Sequence, residues 1–439
     1  MTTPKNDPAH AWSAFEATPG DPWDLARVAH LHRRAGFMAP WSILNRDKAA
    51  GLGPSVERLL EGEPKSGDGM PAAEHESLME VMAGRVAASG NLARLQGSWL
   101  YRMIFTPHPL RERMTLFWHN HFATSNAKVN NTGLMQRQSD ILRRNALGKF
   151  PPMLREMAKD AAMLQWLDCT ANRKAHPNEN YAREVMELFT LGRGHYSEKD
   201  VQEAARAFTG TFVQNDQYRA VPSQHDDGDK TVLGKTGKFQ GDDVAAILLD
   251  QPACAEFLAR KLYRHFISEV ETPAPALIAP LADALRKSDY DIRSVVSLIL
   301  RSRLFHDPAT RRKRVKSPVE FAVGTVRALE ILQPTLSADA LSEAIGRMGQ
   351  ALFAPPSVAG WEGGPAWINT TTTLARSNFA LGVLGKDGGL GGRFVPKKGD
   401  ASYYVDLLVQ DAFDATVRGK IRGEEAVTLV LTSPEYQLG

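Results

Sequence analysis

The chain has 439 residues, with 53 Lys and Arg set against 50 Asp and Glu, for a formal net charge of +3. Hydrophobic residues make up 43 % of it and charged residues 23 %, enough apolar material for a globular core. Near-neutrality argues against a dedicated nucleic-acid binder, whose domain is ordinarily basic, and two cysteines (Cys169, Cys254) exclude a disulfide framework or a multi-cysteine metal site. The first 22 residues are polar and interrupted by Pro8, Pro19 and Pro22, and predict a flexible tail. Helical spacing begins at Trp23 and breaks at Gly36, then resumes over residues 56–60 and 78–100, on either side of a loop rich in Gly, Pro and charge. Residues 110–122, 133–146, 153–167 and 180–191 place apolar side chains three and four apart, the helix period. Residues 197–209 add a helix opened by Ser197, with Asp200 three positions on as a capping box.

Texture changes after Phe212. Residues 214–242 are rich in Gly, Asp and Lys and predict a loop or β-hairpin insertion. Helical patterns return at 243, 253–267, 280–287, 292–301, 318–332 and 338–352. A Gly-rich linker at 386–402 then precedes short helices at 403–411 and 424–431, expected to pack on the main body. The fold class is therefore mainly α: one large multi-helix globular body over 23–385 with a single short insertion. No stretch reaches the ~18 apolar residues of a membrane span. The start also lacks the apolar segment of a secretory signal, so the chain reads as cytoplasmic, with reduced thiols.

Candidate chemistry concentrates in two helices. On residues 110–122 a 100° step puts Leu110, Met114, Phe117 and Trp118 on one side, with His121 among them and His119 facing away. An imidazole on an apolar face needs a buried partner, either as a satisfied core histidine or as part of a site. On residues 180–191 Glu184 falls in the apolar seam and Glu187 follows at i+3, with Arg183 and Asn180 alongside. A carboxylate so placed gains a cation, accepts hydrogen bonds or picks up a proton, in structural networks and in general acid/base sites alike. His195 lies in the following turn, and a helical hairpin would bring it toward His121, Glu184 and Glu187. Those four are the candidate ligands for a divalent metal, and no Glu-x-x-His pair of the di-iron type accompanies them.

Three further stretches are unusual. The loop from Gln224 to Lys230 concentrates His225, Asp226 and Lys230 without the order of a calcium loop. Trp361 and Trp367 sit in a Gly- and Pro-constrained turn, where they would plug the core or line a pocket. The basic run Arg311-Arg312-Lys313-Arg314-Val315-Lys316 predicts a solvated approach to a helix starting at Ser317-Pro318. Phosphate-binding, dinucleotide, nucleophile-elbow and zinc-protease motifs do not occur.

The words FWHNHFA, NENYAREVMELFTLGRGHYSEKDVQEAARAFTG, HDDGDKTVLG and PSVAGWEGGPAWINTTTTLARSN, with the opening HLHRRAGF, resemble a large bacterial family known as domain of unknown function 1800. The resemblance runs from about Trp23 to the C-terminus. It implies a mostly helical protein without established catalytic residues, often exported and often paired with a sulfatase- or phosphatase-like companion. The residues matching its motifs are His121, Asn178, Glu179, Asn180, Arg183, Glu184, Glu187, His225, Asp226, Lys230, Trp361, Asn369 and Arg376. Two functions follow: an accessory, partner-binding protein with a buried His/Glu/Arg network, or a hydrolase-like or metal-assisted enzyme. In the second, Glu184 or Glu187 is the acid/base, tuned by His121 and Arg183, with the His225 loop closing the site.

Overall fold

In a computed structural model the described residues are 7–385, 389–396, 401–421 and 426–439. Of the described residues 62 % are helical, and the strands among them form two small two-stranded sheets. The helices that build the site are, in chain order, α1 (Leu25–Ala35), α2 (Leu92–Phe105), α3 (Pro109–His121), α4 (Asn180–Glu184), α5 (Glu198–Ala207), α6 (Pro252–Phe266) and α7 (Pro318–Ala328). Among the described residues none is long and apolar enough to cross a membrane.

Two apolar cores lie side by side. One gathers Trp118, Phe122, Phe150, Phe189, Leu258 and Phe266, and the other gathers Trp99, Leu116, Phe321, Phe353 and Tyr436. Helix α3 runs between them and lends side chains to both, so its whole circumference is covered. Trp118 is fully buried and donates its indole N–H to the Ala146 carbonyl at 3.0 Å, so the ring contributes apolar area without stranding its polar atom. Burial on both sides also decides what surrounds His119. It points away from the side that carries His121, but into the second core rather than to solvent, where it is enclosed by Trp99, Phe353 and Trp361 and accepts the Phe353 backbone N–H at 3.1 Å. Burial pushes its pKa down to about 3.

Local chemistry shifts several predicted boundaries. The stretch 78–100 is two helices, Ala72–Ala88 and α2, parted at Gly90 (φ 71°) and restarted by Asn91, whose side chain caps Arg94 N–H. Residues 153–167 break likewise at Asp160, which caps Met163 at 2.8 Å. The insertion expected over 214–242 begins at Thr211 and holds two hairpins: β1 (Thr211–Gln214) with β2 (Gln217–Ala220), and β3 (Lys230–Val232) with β4 (Lys235–Gly237). Asn215 and Asp216 turn the first at φ 51° and 58°, in the left-handed region that asparagine and aspartate tolerate.

The tail expected over 1–22 is anchored within its described part. Residues Pro8–Trp12 are helical, and Trp12 is buried with its indole N–H on the Leu277 carbonyl at 2.8 Å. The rest of the expectation for this tail, residues 1–6, lies outside the described residues. Of the expected linker, 386–388 and 397–400 lie outside them too, as do 422–425 at the start of the last predicted helix. The described linker residues pack on the body, where the Leu390 carbonyl accepts Ser337 N–H at 2.7 Å. The basic run is not solvated. Arg314 and Lys316 are buried, and Arg311 and Arg312 both pair with Asp411.

Candidate functional site

The site begins with a departure from the α-helix. Helix α4 does not continue to residue 191; it passes into a π-helical turn, Val185–Thr190, which tightens to a stop at Gly192 (φ 80°). Such turns are rare and recur at functional positions. A helix end leaves its last carbonyls without backbone donors, and here two side chains from other helices supply them. His121 Nε2 lies 3.1 Å from the Phe189 carbonyl, and Lys261 Nζ lies 3.3 Å from the Leu188 carbonyl.

These contacts fix the protonation pattern. A carbonyl only accepts, so His121 Nε2 carries the proton and Nδ1 is left as an acceptor. That acceptor takes a hydrogen bond from Lys261 Nζ at 3.0 Å. Burial, and then the neighbouring lysine, hold the His121 pKa well below its ordinary value, so the imidazole is neutral. Burial and then Arg264 lower the Lys261 ammonium to about 7. The Lys261 nitrogen also lies 4.8 Å from the centre of the Phe257 ring.

Helices α3 and α6 run antiparallel here, because partners descend along α6 as they ascend along α3. Arg113 Nε meets His265 Nε2 at 3.3 Å, Phe117 stacks edge-on against His265 at 5.0 Å, and His121 meets Lys261. The stripe Phe257, Lys261, Arg264 and His265 follows the i, i+4, i+7, i+8 pattern of one helix face. Beneath it lies a charge cluster. Arg314 reaches Glu269 Oε1 through Nε at 2.7 Å and Nη2 at 2.5 Å, and lies 3.5 Å from Glu320. Arg113 pairs with the same Glu320 oxygen, and Arg34 of α1 donates to the Ile267 carbonyl nearby. Burial works to raise the Glu320 pKa, but Arg113 and Arg314 prevail and hold it below the ordinary value. Glu320 also caps α7, its other oxygen taking Ser317 N–H at 3.0 Å in a reciprocal capping box.

The remaining wall is the tryptophan turn. Asn120 grips it through its side-chain amide, accepting Trp361 N–H at 2.7 Å and donating to the Trp361 carbonyl at 3.3 Å. This close approach requires Gly360 (φ 78°), since a Cβ there would lie 2.2 Å from Asn120 Oδ1. Trp361 and Trp367 are both buried and both line a cavity of about 280 Å³, together with Phe117, Lys261, Arg264 and Glu269. Arg264 is exposed at its rim, as is Glu362.

The residues expected to join His121 are elsewhere. Glu184 and Glu187 are not among the hydrogen-bond partners described for it, because the π turn offers it a backbone carbonyl instead of a carboxylate. Glu187 accepts from Arg193 Nε at 2.6 Å and from the Tyr196 hydroxyl at 2.7 Å, and these bonds, the tyrosine's first, lower its pKa. Glu184 is half-buried, and burial together with Glu187 raises its pKa. Arg183 pairs with Glu198, both nitrogen–oxygen distances being 2.7 Å, and with Glu179 at 3.0 Å, not with Glu184 or Glu187. His195 is exposed in its turn, and its neighbour Tyr196 is the residue that reaches back. No group of three or more His, Cys, Asp or Glu able to hold a metal occurs among the described residues. The proposed convergence of His121, Glu184, Glu187 and His195 is therefore not formed.

The other candidates pin loops. His225 Nδ1 lies 3.0 Å from the Thr209 carbonyl, Asp226 binds Arg206 Nε at 2.8 Å, and the buried Lys230 donates to the carbonyls of Asp226 and Gly228. None of the three lines the cavity. Asn180 ties α4 to the Leu167 carbonyl at 3.2 Å, Asn369 caps Thr372 at 2.9 Å, and Arg376 holds the Lys316 carbonyl at 2.7 Å.

Sequence reasoning missed Lys261, Arg264, His265, Asn120, Arg113, Arg314, Glu269 and Glu320. The available signals were the polar stripe along α6 and the Ser317–Glu320 capping box, but a stripe of Lys, Arg and His is also what a solvated helix face looks like. No curated protein and no solved structure matches the chain. Over residues 30–438 it matches the family model described as Protein of unknown function (DUF1800), and the chain belongs to that family.

Proposed function

We propose that the chain is an accessory protein that binds a small organic anion in the cavity between α3, α6 and the tryptophan turn. The observation that carries this reading is the Arg264 guanidinium, exposed at the rim of the cavity. Beneath the cavity the guanidiniums of Arg113 and Arg314 are matched by Glu320 and Glu269. Lys261 and Arg264, on its wall and rim, have no ion pair with a carboxylate among the described residues. A guanidinium without an ion pair, beside a lysine amine and aromatic walls, suits a compact anion with an apolar part, and a volume of about 280 Å³ suits a metabolite rather than a polymer. Glu269 Oε2 is buried without a partner among the described residues and offers an acceptor for a ligand hydroxyl.

The test is titration with a panel of small carboxylates and phosphate monoesters, followed by calorimetry and by the fluorescence of Trp361 and Trp367. Saturable, salt-sensitive binding that is lost in Lys261→Ala and Arg264→Ala supports the reading. Binding by no member of the panel, or binding indifferent to both variants, refutes it. The sulfatase- or phosphatase-like companion belongs to the same accessory reading and is tested by co-purification. A second reading, acid/base hydrolysis at Glu184, is favoured by the raised pKa of that carboxyl. It requires hydrolytic activity that disappears in Glu184→Gln.

A further inference from the structure

We infer that Lys261 is a nucleophile that forms a reversible imine with an aldehyde or ketone carrying the anionic group. This rests on the binding reading above and adds the chemistry of the ligand. The valence of one nitrogen carries it. Lys261 Nζ has two acceptors, His121 Nδ1 at 3.0 Å and the Leu188 carbonyl at 3.3 Å, and lies against the Phe257 ring. A neutral amine satisfies this arrangement completely: its two hydrogens go to the two acceptors, and its lone pair remains beside the cavity that Lys261 lines. An ammonium would bring a third hydrogen to a place where no carboxylate partner is described. Desolvation beside an aromatic ring and a second cation is the ordinary way a lysine becomes nucleophilic at neutral pH, and Arg264 is that cation.

The neighbours make the placement firm. The Phe189 carbonyl holds the His121 tautomer, so the imidazole cannot rotate its N–H toward the lysine without losing a buried hydrogen bond. Arg264, one turn further along α6, is placed to take the anionic end of a ligand whose carbonyl lies at Lys261.

The step balances without a further reactant. The amine nitrogen attacks the carbonyl carbon, a C–N bond forms and the carbonyl π pair moves to oxygen. Both hydrogens of the amine are transferred to that oxygen, which leaves as water as the C=N bond forms. Hydrolysis reverses every step.

The full-length protein is incubated with pyruvate, and separately with dihydroxyacetone phosphate, in the presence of sodium cyanoborohydride, then digested and mapped by mass spectrometry. Hydride reduction turns the imine into a stable secondary amine. The expected result is a reduced adduct on Lys261 well above that on exposed lysines such as Lys199, with at least one probe, and its loss in Lys261→Arg. Circular dichroism of the variant separates loss of the nucleophile from loss of fold, and site mapping of the wild type does not depend on it. Adducts spread evenly over surface lysines overturn the inference. Saturable binding of either probe without an adduct overturns it and leaves the binding reading standing. No binding and no adduct, with no other anion of the panel binding, overturn both.

Discussion

Replacing Lys261 by Met separates the electrostatic cost of this lysine from its packing. The side chains are close in length, so the change removes the amine, which lies 4.8 Å from the centre of the Phe257 ring, and keeps an apolar stem of similar reach. In the unfolded chain the ammonium titrates near ~10.4, whereas in the fold burial brings it to about 7. Between those values the unfolded state holds more protons than the folded one. The lysine's contribution therefore favours unfolding at low pH, and the wild type gains stability as pH rises through this window, at no more than about 1.4 kcal/mol per unit. Lys261 keeps partial exposure toward the cavity, and solvent screening reduces the swing between about pH 6 and about pH 9 to roughly 1.5 kcal/mol. The variant loses two hydrogen bonds, about 1 kcal/mol each and nearly independent of pH. Urea unfolding at both pH values should show Lys261→Met within about 1 kcal/mol of wild type at the acid end and about 2 kcal/mol weaker at the alkaline end. A wild-type-minus-variant difference that stays flat with pH would refute a desolvated, lowered lysine.

Other perturbations test the surrounding frame. Glu320→Gln leaves Arg113 and Arg314 short of a buried counter-charge, and urea unfolding should show a loss of about 3–5 kcal/mol; a loss below about 1 kcal/mol would show that the cluster is solvated. Gly360→Ala forces a Cβ against Asn120 at a positive φ and should cost about 2–4 kcal/mol in chemical unfolding, with altered tryptophan fluorescence. Glu184→Gln, which breaks no described hydrogen bond, should stay within about 0.5 kcal/mol of wild type and bind anions normally. Asp226, lowered to about 2 mainly by its Arg206 hydrogen bond, contributes stability above its unfolded pKa of ~3.9 that is lost as pH falls toward the folded value. Asp226→Asn should therefore weaken the fold at neutral pH, and the deficit should shrink below about pH 4; a deficit unchanged with pH would mean that the charge is irrelevant.

The sequence by itself determined the helical class, the insertion after Phe212, the cap at Ser197 and the helix start at Ser317-Pro318, because apolar periodicity and capping act within one turn and need no partner. It also marked His121 as an imidazole needing a buried acceptor. It did not determine which one, since a wheel drawn at 100° per residue fails once the chain enters the π turn at Val185, and the rotation that follows presents backbone carbonyls rather than Glu184. Lys261, Arg264 and Glu320 were hidden for a related reason: polar side chains on a helix look the same whether they face water or a cavity, and Glu269 lies in the bend that follows α6, where no periodicity marks it. Only the tertiary structure decided that α3 and α6 lie antiparallel, enclosing these groups and matching some of the charges while leaving others unpaired. The pairing of α3 with α6 depends on contacts between residues 140 and 152 positions apart, and local pattern carries no record of them.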